Sequence, residues 1–157
     1  MAGKVKPIPD GYHAVTPYMS VKGAANAIEF YKKAFGAKEV MRMPGPGGMI
    51  GHAEIEIGGS RIMLADEHPE MNFRGPKSIG GTAVHIHLYV DDADKVANQA
   101  AAAGAKIIRP VADQFYGDRL GSLEDPFGHV WHVSTHKEDL SMEELKKRAA
   151  KVAAQHA

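Results

Sequence analysis

Residues 14–21 read AVTPYMSV, and residues 83–90 read AVHIHLYV, repeating the same outline 69 positions later. Each stretch leads into an alanine-rich segment that closes on Gly-Ala-Lys, at Gly36, Ala37 and Lys38 in one copy and at Gly104, Ala105 and Lys106 in the other. The helix ends are 68 residues apart, so the two copies differ by one residue of gap. A fixed period held across two different elements is the signature of internal duplication, and it sets the architecture before any single element is considered.

Working outward from the first copy, residues 24–35 place Ala27, Ile28, Tyr31, Ala34 and Phe35 on one stripe of a 3.6-residue period, with Gly36 as a stop. Residues 40–43, 50–57 and 61–65 are short β-rich runs parted by PGPGG and by Gly58 and Gly59, and they predict three strands. The unit is therefore βαβββ. The second copy repeats that order with strands over 83–90, 107–111, 119–124 and 130–135 and a helix over 93–103. Asp125-Pro126-Phe127-Gly128 turns its last pair. The expected domains are a first module over 12–67, a linker over 68–81, a second module over 82–137 and a helical tail over 138–157. Gly, Pro and polar residues make 68–81 read as a linker that lets one module move against the other. In the tail, Ser141 and Glu144 have the spacing of a capping box opening a charged helix to about Gln155, read as a solvated tail in preference to a dimer contact.

Composition limits the chemistry. The 157 residues, 44% hydrophobic and 24% charged, fit one globular domain. Lys plus Arg and Asp plus Glu both number 19, with no basic stripe, so neither nucleic acid nor an anionic membrane is an expected partner. No apolar run approaches the roughly 18 to 20 residues of a membrane span, and the start lacks a signal-peptide core, which predicts a cytoplasmic protein. With no cysteine, disulfides and thiolate chemistry are excluded; nine histidines are the main stock of ligands and bases. A small molecule is the expected partner.

The runs IEFYKKAFGAK at 28–38, GHAEIEIGG at 51–59, IMLADE at 62–67 and FYGDRLGSLEDPFGHVWHV at 115–133 together resemble the vicinal oxygen chelate superfamily. That group includes glyoxalase I, bleomycin-resistance proteins, fosfomycin-resistance enzymes, methylmalonyl-CoA epimerase and extradiol dioxygenases. The likeness covers residues 12–137, and its combination of motifs looks most like the PhnB-like branch. It implies an α+β fold of paired βαβββ modules whose sheets curl around a shared cavity, here followed by the C-terminal helix. Alternation in the fifth strand agrees, with His85, His87 and Tyr89 on one face and Ile86, Leu88 and Val90 on the other.

The resemblance also implies ligand positions on the first and last strands of each module. His85 and His132 match them in the second, as metal ligands or catalytic groups; the alternative is a structural, hydrogen-bonded role for each. The repeat aligns them with Thr16 and Met63, a weak hydroxyl and a thioether, which departs from the His and Glu pattern of glyoxalase I. A divalent ion such as Zn, Ni, Mn or Fe needs more than two imidazoles. Glu67, two residues beyond the fourth strand on the face of Met63, is a candidate carboxylate and catalytic base. His52 and His87 are further pocket candidates, with Tyr18 on the face of Thr16. Tyr116 and Arg119 are candidates for an anionic or oxygen-rich substrate, against a salt bridge from Arg119 to Asp118 or Asp113. His129 and Trp131 read as structural and core, while His13, His68, His136 and His156 fall in loops or tails with no identifiable partner.

Two functions follow from this set. One is a metal-dependent lyase, isomerase or transferase acting on an oxygen-rich substrate, with dioxygenase chemistry disfavoured because a carboxylate is missing from its usual place. The other is a bleomycin-type sequestering protein with no catalysis. The resemblance further implies a homodimer, swapped or unswapped.

Overall fold

The computed structural model describes residues 5–155; His156 lies outside them. The chain divides into two compact units, one up to Gly81 and one from Thr82. In the first, strands β1 (Tyr18–Val21), β2 (Lys38–Pro44), β3 (Ile50–Ile57) and β4 (Ser60–Asp66) and helix α1 (Ala24–Phe35) form the βαβββ unit, followed by the one-turn helix α2 (Pro76–Ile79). The second repeats it with β5 (Ile86–Tyr89), α3 (Ala93–Ala103), β6 (Lys106–Asp113), β7 (Asp118–Glu124) and β8 (Val130–His136). Helix α4 (Met142–Gln155) then ends the described chain. Each unit has one mixed sheet, ordered β1-β4-β3-β2 and β5-β8-β7-β6.

The duplication extends to atomic detail. In each sheet the first strand lies parallel to the last, Tyr18 opposite Met63 and His87 opposite His132, which is the 69-residue offset read from sequence. The second strands break register at matched places, between Glu39 and Met41 and between Ile107 and Arg109. Gly36 and Gly104 close the helices with φ of 67° and 119°, a left-handed cap that glycine adopts without a Cβ penalty. Even the N-terminal caps correspond. Asp66 at the end of β4 accepts hydrogen bonds from the Gly23 and Ala24 backbone N–H groups at 2.9 Å, and Thr135 near the end of β8 accepts one from Ala93 at 2.8 Å.

One face of each sheet packs on its helix. Val21, Ile55 and Leu64 are fully buried with Ile28 and Tyr31 in the first unit, and Leu123, Trp131 and Val133 with Ala93, Ala97 and Ala100 in the second. The helical stripe and the strand alternation therefore meet as one apolar layer. The indole N–H of Trp131 is satisfied at 2.9 Å by Asp125, which also accepts from the Phe127 and His129 backbone and so fixes the β7–β8 turn. Trp131 is core, as its position in the alternation predicts.

Two features refine the sequence reading. The opening strands are shorter than 14–21 and 83–90, so Thr16 and His85 stand just before β1 and β5. At β1 the ladder cannot extend freely because Pro17 has no N–H to donate, although its carbonyl accepts from Met63 at 2.9 Å. Residues 68–81, expected as a linker, hold a 3₁₀ turn over Pro69–Met71, a bridge between His68 and Phe73, and α2. Glu67 fastens this segment by accepting from Gly75 N–H at 2.6 Å, where a Cβ would come within 2.8 Å of the Ser20 carbonyl. In the tail, Glu144 N–H donates to Ser141 at 3.2 Å, one arm of the expected capping box.

Asp66→Ala removes the acceptor for two helix-cap donors and for Ile50 N–H at 2.7 Å. It is expected to cost about 2 kcal/mol in urea unfolding, with Asp66→Asn costing less because it keeps an acceptor.

Candidate functional site

Alternation leaves the other face of each sheet polar, and strand pairing sets its residues in rows. In the second unit the row crosses β5, β8, β7 and β6 as His87, His132, Ser122 and Arg109. The matched row of the first unit is Tyr18, Met63, Glu54 and Met41. The backbone positions are the same, and the chemistry is different.

His132 is the centre of the second row. Its Nδ1 lies 2.7 Å from the hydroxyl of buried Ser122, and its Nε2 lies 3.0 Å from Nδ1 of His85. One proton fills the gap between the imidazoles, and the turn of the Ser122 hydroxyl decides which ring owns it. The His87 ring lies 6.0 Å from that of His132 and 4.7 Å from that of Tyr89, extending the polar face along β5. Burial, with His85, His87 and Arg109 adding positive charge nearby, holds the His132 pKa below the ordinary imidazole value. Ser122 and Arg109 are absent from the sequence-derived candidates. Ser122 was within reach of that reading, because counting back across the Asp125 turn sets it opposite His132.

At the other end of the same face, buried Asp118 accepts from the Tyr89 hydroxyl at 3.2 Å and from Ser134 at 3.3 Å, and lies 2.7 Å from His136 Nδ1. His136 Nε2 is 2.9 Å from Asp139. These carboxylates, Asp139 first, raise the His136 pKa. The histidine to which sequence gave no partner thus has two. Next to it Tyr89, Val90, Asp91, Thr135 and His136 line an open depression of about 490 Å³. Tyr116 nearby has its phenol pKa raised by burial and by Asp118.

Arg119 lies on the opposite face, as its odd position against Ser122 requires. It is held by Asp94 of α3 at 2.6 and 2.9 Å and by Asp113 at 3.1 Å. Asp113 is one of the two partners considered for the salt bridge; Asp94 is the stronger and came from a different element.

In the first unit, His52 Nδ1 is 3.1 Å from the Tyr18 hydroxyl and His52 Nε2 is 3.2 Å from Glu54. The Tyr12 hydroxyl beside Glu54, then His52 and Arg61, hold the Glu54 carboxyl below the usual range. Burial and that carboxylate in turn push the Tyr12 phenol up to about 12. Arg61 also sits 5.7 Å from the Tyr12 ring centre. Tyr12, Glu54 and Arg61 escaped the sequence reading because nothing in their spacing brings them together. Thr16 stands apart, donating to the His13 carbonyl at 3.3 Å, and Met63 lies between Tyr18 and Glu54 in the row. Glu67 is engaged by the Ser78 hydroxyl and the Gly75 N–H, which lower its pKa.

Zinc and its neighbours take three or four N or O ligands. His85 and His132 supply two imidazoles, and among the described residues no three His, Asp or Glu side chains gather as a metal-holding group. These side chains alone do not complete a metal centre.

Residues 12–133 match the Glyoxalase/Bleomycin resistance protein/Dioxygenase superfamily, and the chain belongs to that family. An uncharacterized protein of Mycobacterium tuberculosis is 43% identical over 136 residues, covering 85% of this chain and 80% of its own. A gene product of Arabidopsis thaliana shares the fold at 27% identity and a TM-score of 0.65, covering 78% of this chain and 98% of its own. A PhnB protein from Bacillus cereus, at 18% identity and a TM-score of 0.60, covers 78% and 99% and shows the fold alone. No helix among the described residues is long and apolar enough to cross a membrane.

The two shifted histidines have opposite linkage. His132, with a lowered folded-state pKa, destabilises the fold as pH falls from the unfolded value toward the folded one. His136, with a raised one, contributes stability below its unfolded pKa that is lost as pH rises through the folded pKa. Ring-proton NMR titration is expected to give His132 a midpoint below that of a free histidine and His136 one above it; the reverse order contradicts the assignment.

Proposed function

We propose that the chain is a PhnB-like member of its family in which His85, His132 and Ser122 bind an oxygen-rich small molecule and move a proton to or from it. The observation that carries this is the unbroken contact from the Ser122 hydroxyl through both nitrogens of His132 to His85. Ser122 fixes one nitrogen of His132, so the ring is oriented by a buried group while His85 remains exposed beside it. Through its tautomers the pair presents the free His85 nitrogen either as a donor to a carbonyl or carboxylate oxygen or as an acceptor from a hydroxyl. Proton transfer on that ligand is isomerase or lyase chemistry. A hydrophobic cleft that only sequesters an antibiotic would leave these hydrogen-bonded imidazoles without a purpose.

A second reading, in which a divalent ion is bound, is favoured by one feature: a hydroxyl on His132 Nδ1 with Nε2 turned toward His85 is how outer groups orient a ligating histidine. His85 and His132 would hold the ion, and its chemistry would be charge stabilisation of a developing oxyanion. A homodimer in a cytoplasmic setting completes the proposal; light scattering at the mass of a single chain contradicts the dimer.

Oxalate, a probe with vicinal oxygens, is expected to shift the His85 and His132 ring signals in NMR, and His85→Ala and His132→Ala are each expected to weaken its binding about tenfold or more, on the order of 1.4 kcal/mol. Unchanged binding in both variants contradicts the site. Zinc or manganese loading followed by dialysis is expected to leave well under one equivalent; a full equivalent lost in both variants establishes the second reading.

A further inference from the structure

We propose that Tyr18, His52 and Glu54 form a directed proton relay that makes the Tyr18 phenol oxygen a general base toward an enolisable carbonyl compound. The direction follows from what each group can donate. Glu54, set against Tyr12 and Arg61, is a carboxylate and only accepts, so the ring nitrogen 3.2 Å away, His52 Nε2, carries the N–H. A neutral imidazole has a single N–H, which leaves Nδ1 as an acceptor. Its partner at 3.1 Å is the Tyr18 hydroxyl, whose proton therefore points inward to His52. The oxygen's remaining lone pairs face away from the relay on a side chain that is 50% exposed. His52 and Phe73 hold the ring, edge-on at 5.4 Å and tilted at 5.1 Å between centroids.

A base whose own proton is turned inward takes a proton from a ligand. The Tyr18 proton moves to His52 Nδ1, giving an imidazolium paired with the Glu54 carboxylate. The phenolate oxygen takes a proton from carbon next to the ligand's carbonyl, and the C–H electron pair becomes the enolate. Return of a proton to carbon reverses each transfer and restores the relay, so no other reactant is consumed. Glu67, the base expected from sequence, is already engaged by Gly75 and Ser78. The choice of an enolisable carbonyl rests on the oxygen-rich ligand of the proposed function; the relay does not.

N-acetylimidazole acylates phenol oxygens, and peptide mass spectrometry reads each tyrosine separately. His52→Gln and Glu54→Gln are expected to slow acylation of Tyr18 by about tenfold or more while leaving Tyr89 unchanged. An unchanged Tyr18 rate in both, with native circular dichroism, overturns the relay. Should either variant misfold, the ¹⁵N ring spectrum of the wild-type protein decides: His52 protonated at Nε2 and bare at Nδ1 supports the relay, and the other tautomer overturns it. Pyruvate in D₂O is the substrate probe. Methyl deuteration faster than with Tyr18→Phe supports the assignment, whereas no exchange with the acylation result intact overturns the carbonyl class and leaves the relay standing.

Discussion

The parallel pairing of first strand to last is the constraint on which the rest of each unit depends. It sets Tyr18 opposite Met63 and His87 opposite His132, and period-two alternation then assigns the neighbouring side chains to one face or the other. A slip of one residue would turn Trp131 and Val133 out of the core and bury His132. The pairing also delivers the helix caps, because Asp66 and Thr135 come to the starts of α1 and α3 only when the last strand runs beside the first. Fold and candidate site are thus outcomes of a single register.

Duplication gave two copies of this register with different contents. Where one unit has His87, His132 and Ser122, the other has Tyr18, Met63 and Glu54. Each polar face has a hydrogen-bonded imidazole, yet at unmatched positions: His132 lies in the row of the second unit, whereas His52 lies outside that of the first, two residues along β3 from Glu54. A carboxylate at one end polarises the first chain, while the second ends on the Ser122 hydroxyl and has Arg109 nearby. The first unit has therefore not simply lost the ligands expected from the family. It has an acid–base arrangement of its own.

How much of this was legible depends on the kind of signal. The helices over 24–35 and 93–103 and the strand over 50–57 were placed to the residue, because periodicity and glycine stops act locally. His85 and His132 were singled out from the repeat and the resemblance, and the structure sets His85 Nδ1 3.0 Å from His132 Nε2. Several partners on other elements were not legible. Arg119 pairs with Asp94 on α3, His136 with Asp118 across a hairpin, and Tyr12 meets Glu54 from a segment ahead of β1. At 68–81, expected as a linker, composition did not disclose the 3₁₀ turn and the short helix that the segment holds.

The candidate site stands on one proton that joins His85 to His132, with Ser122 holding the far nitrogen. The most direct test is the scalar coupling between the ¹⁵N nuclei across the N–H···N hydrogen bond in uniformly labelled protein. A resolved coupling between His85 Nδ1 and His132 Nε2 that weakens in Ser122→Ala is the predicted result. Two uncoupled rings that titrate independently of each other and of Ser122 would contradict it.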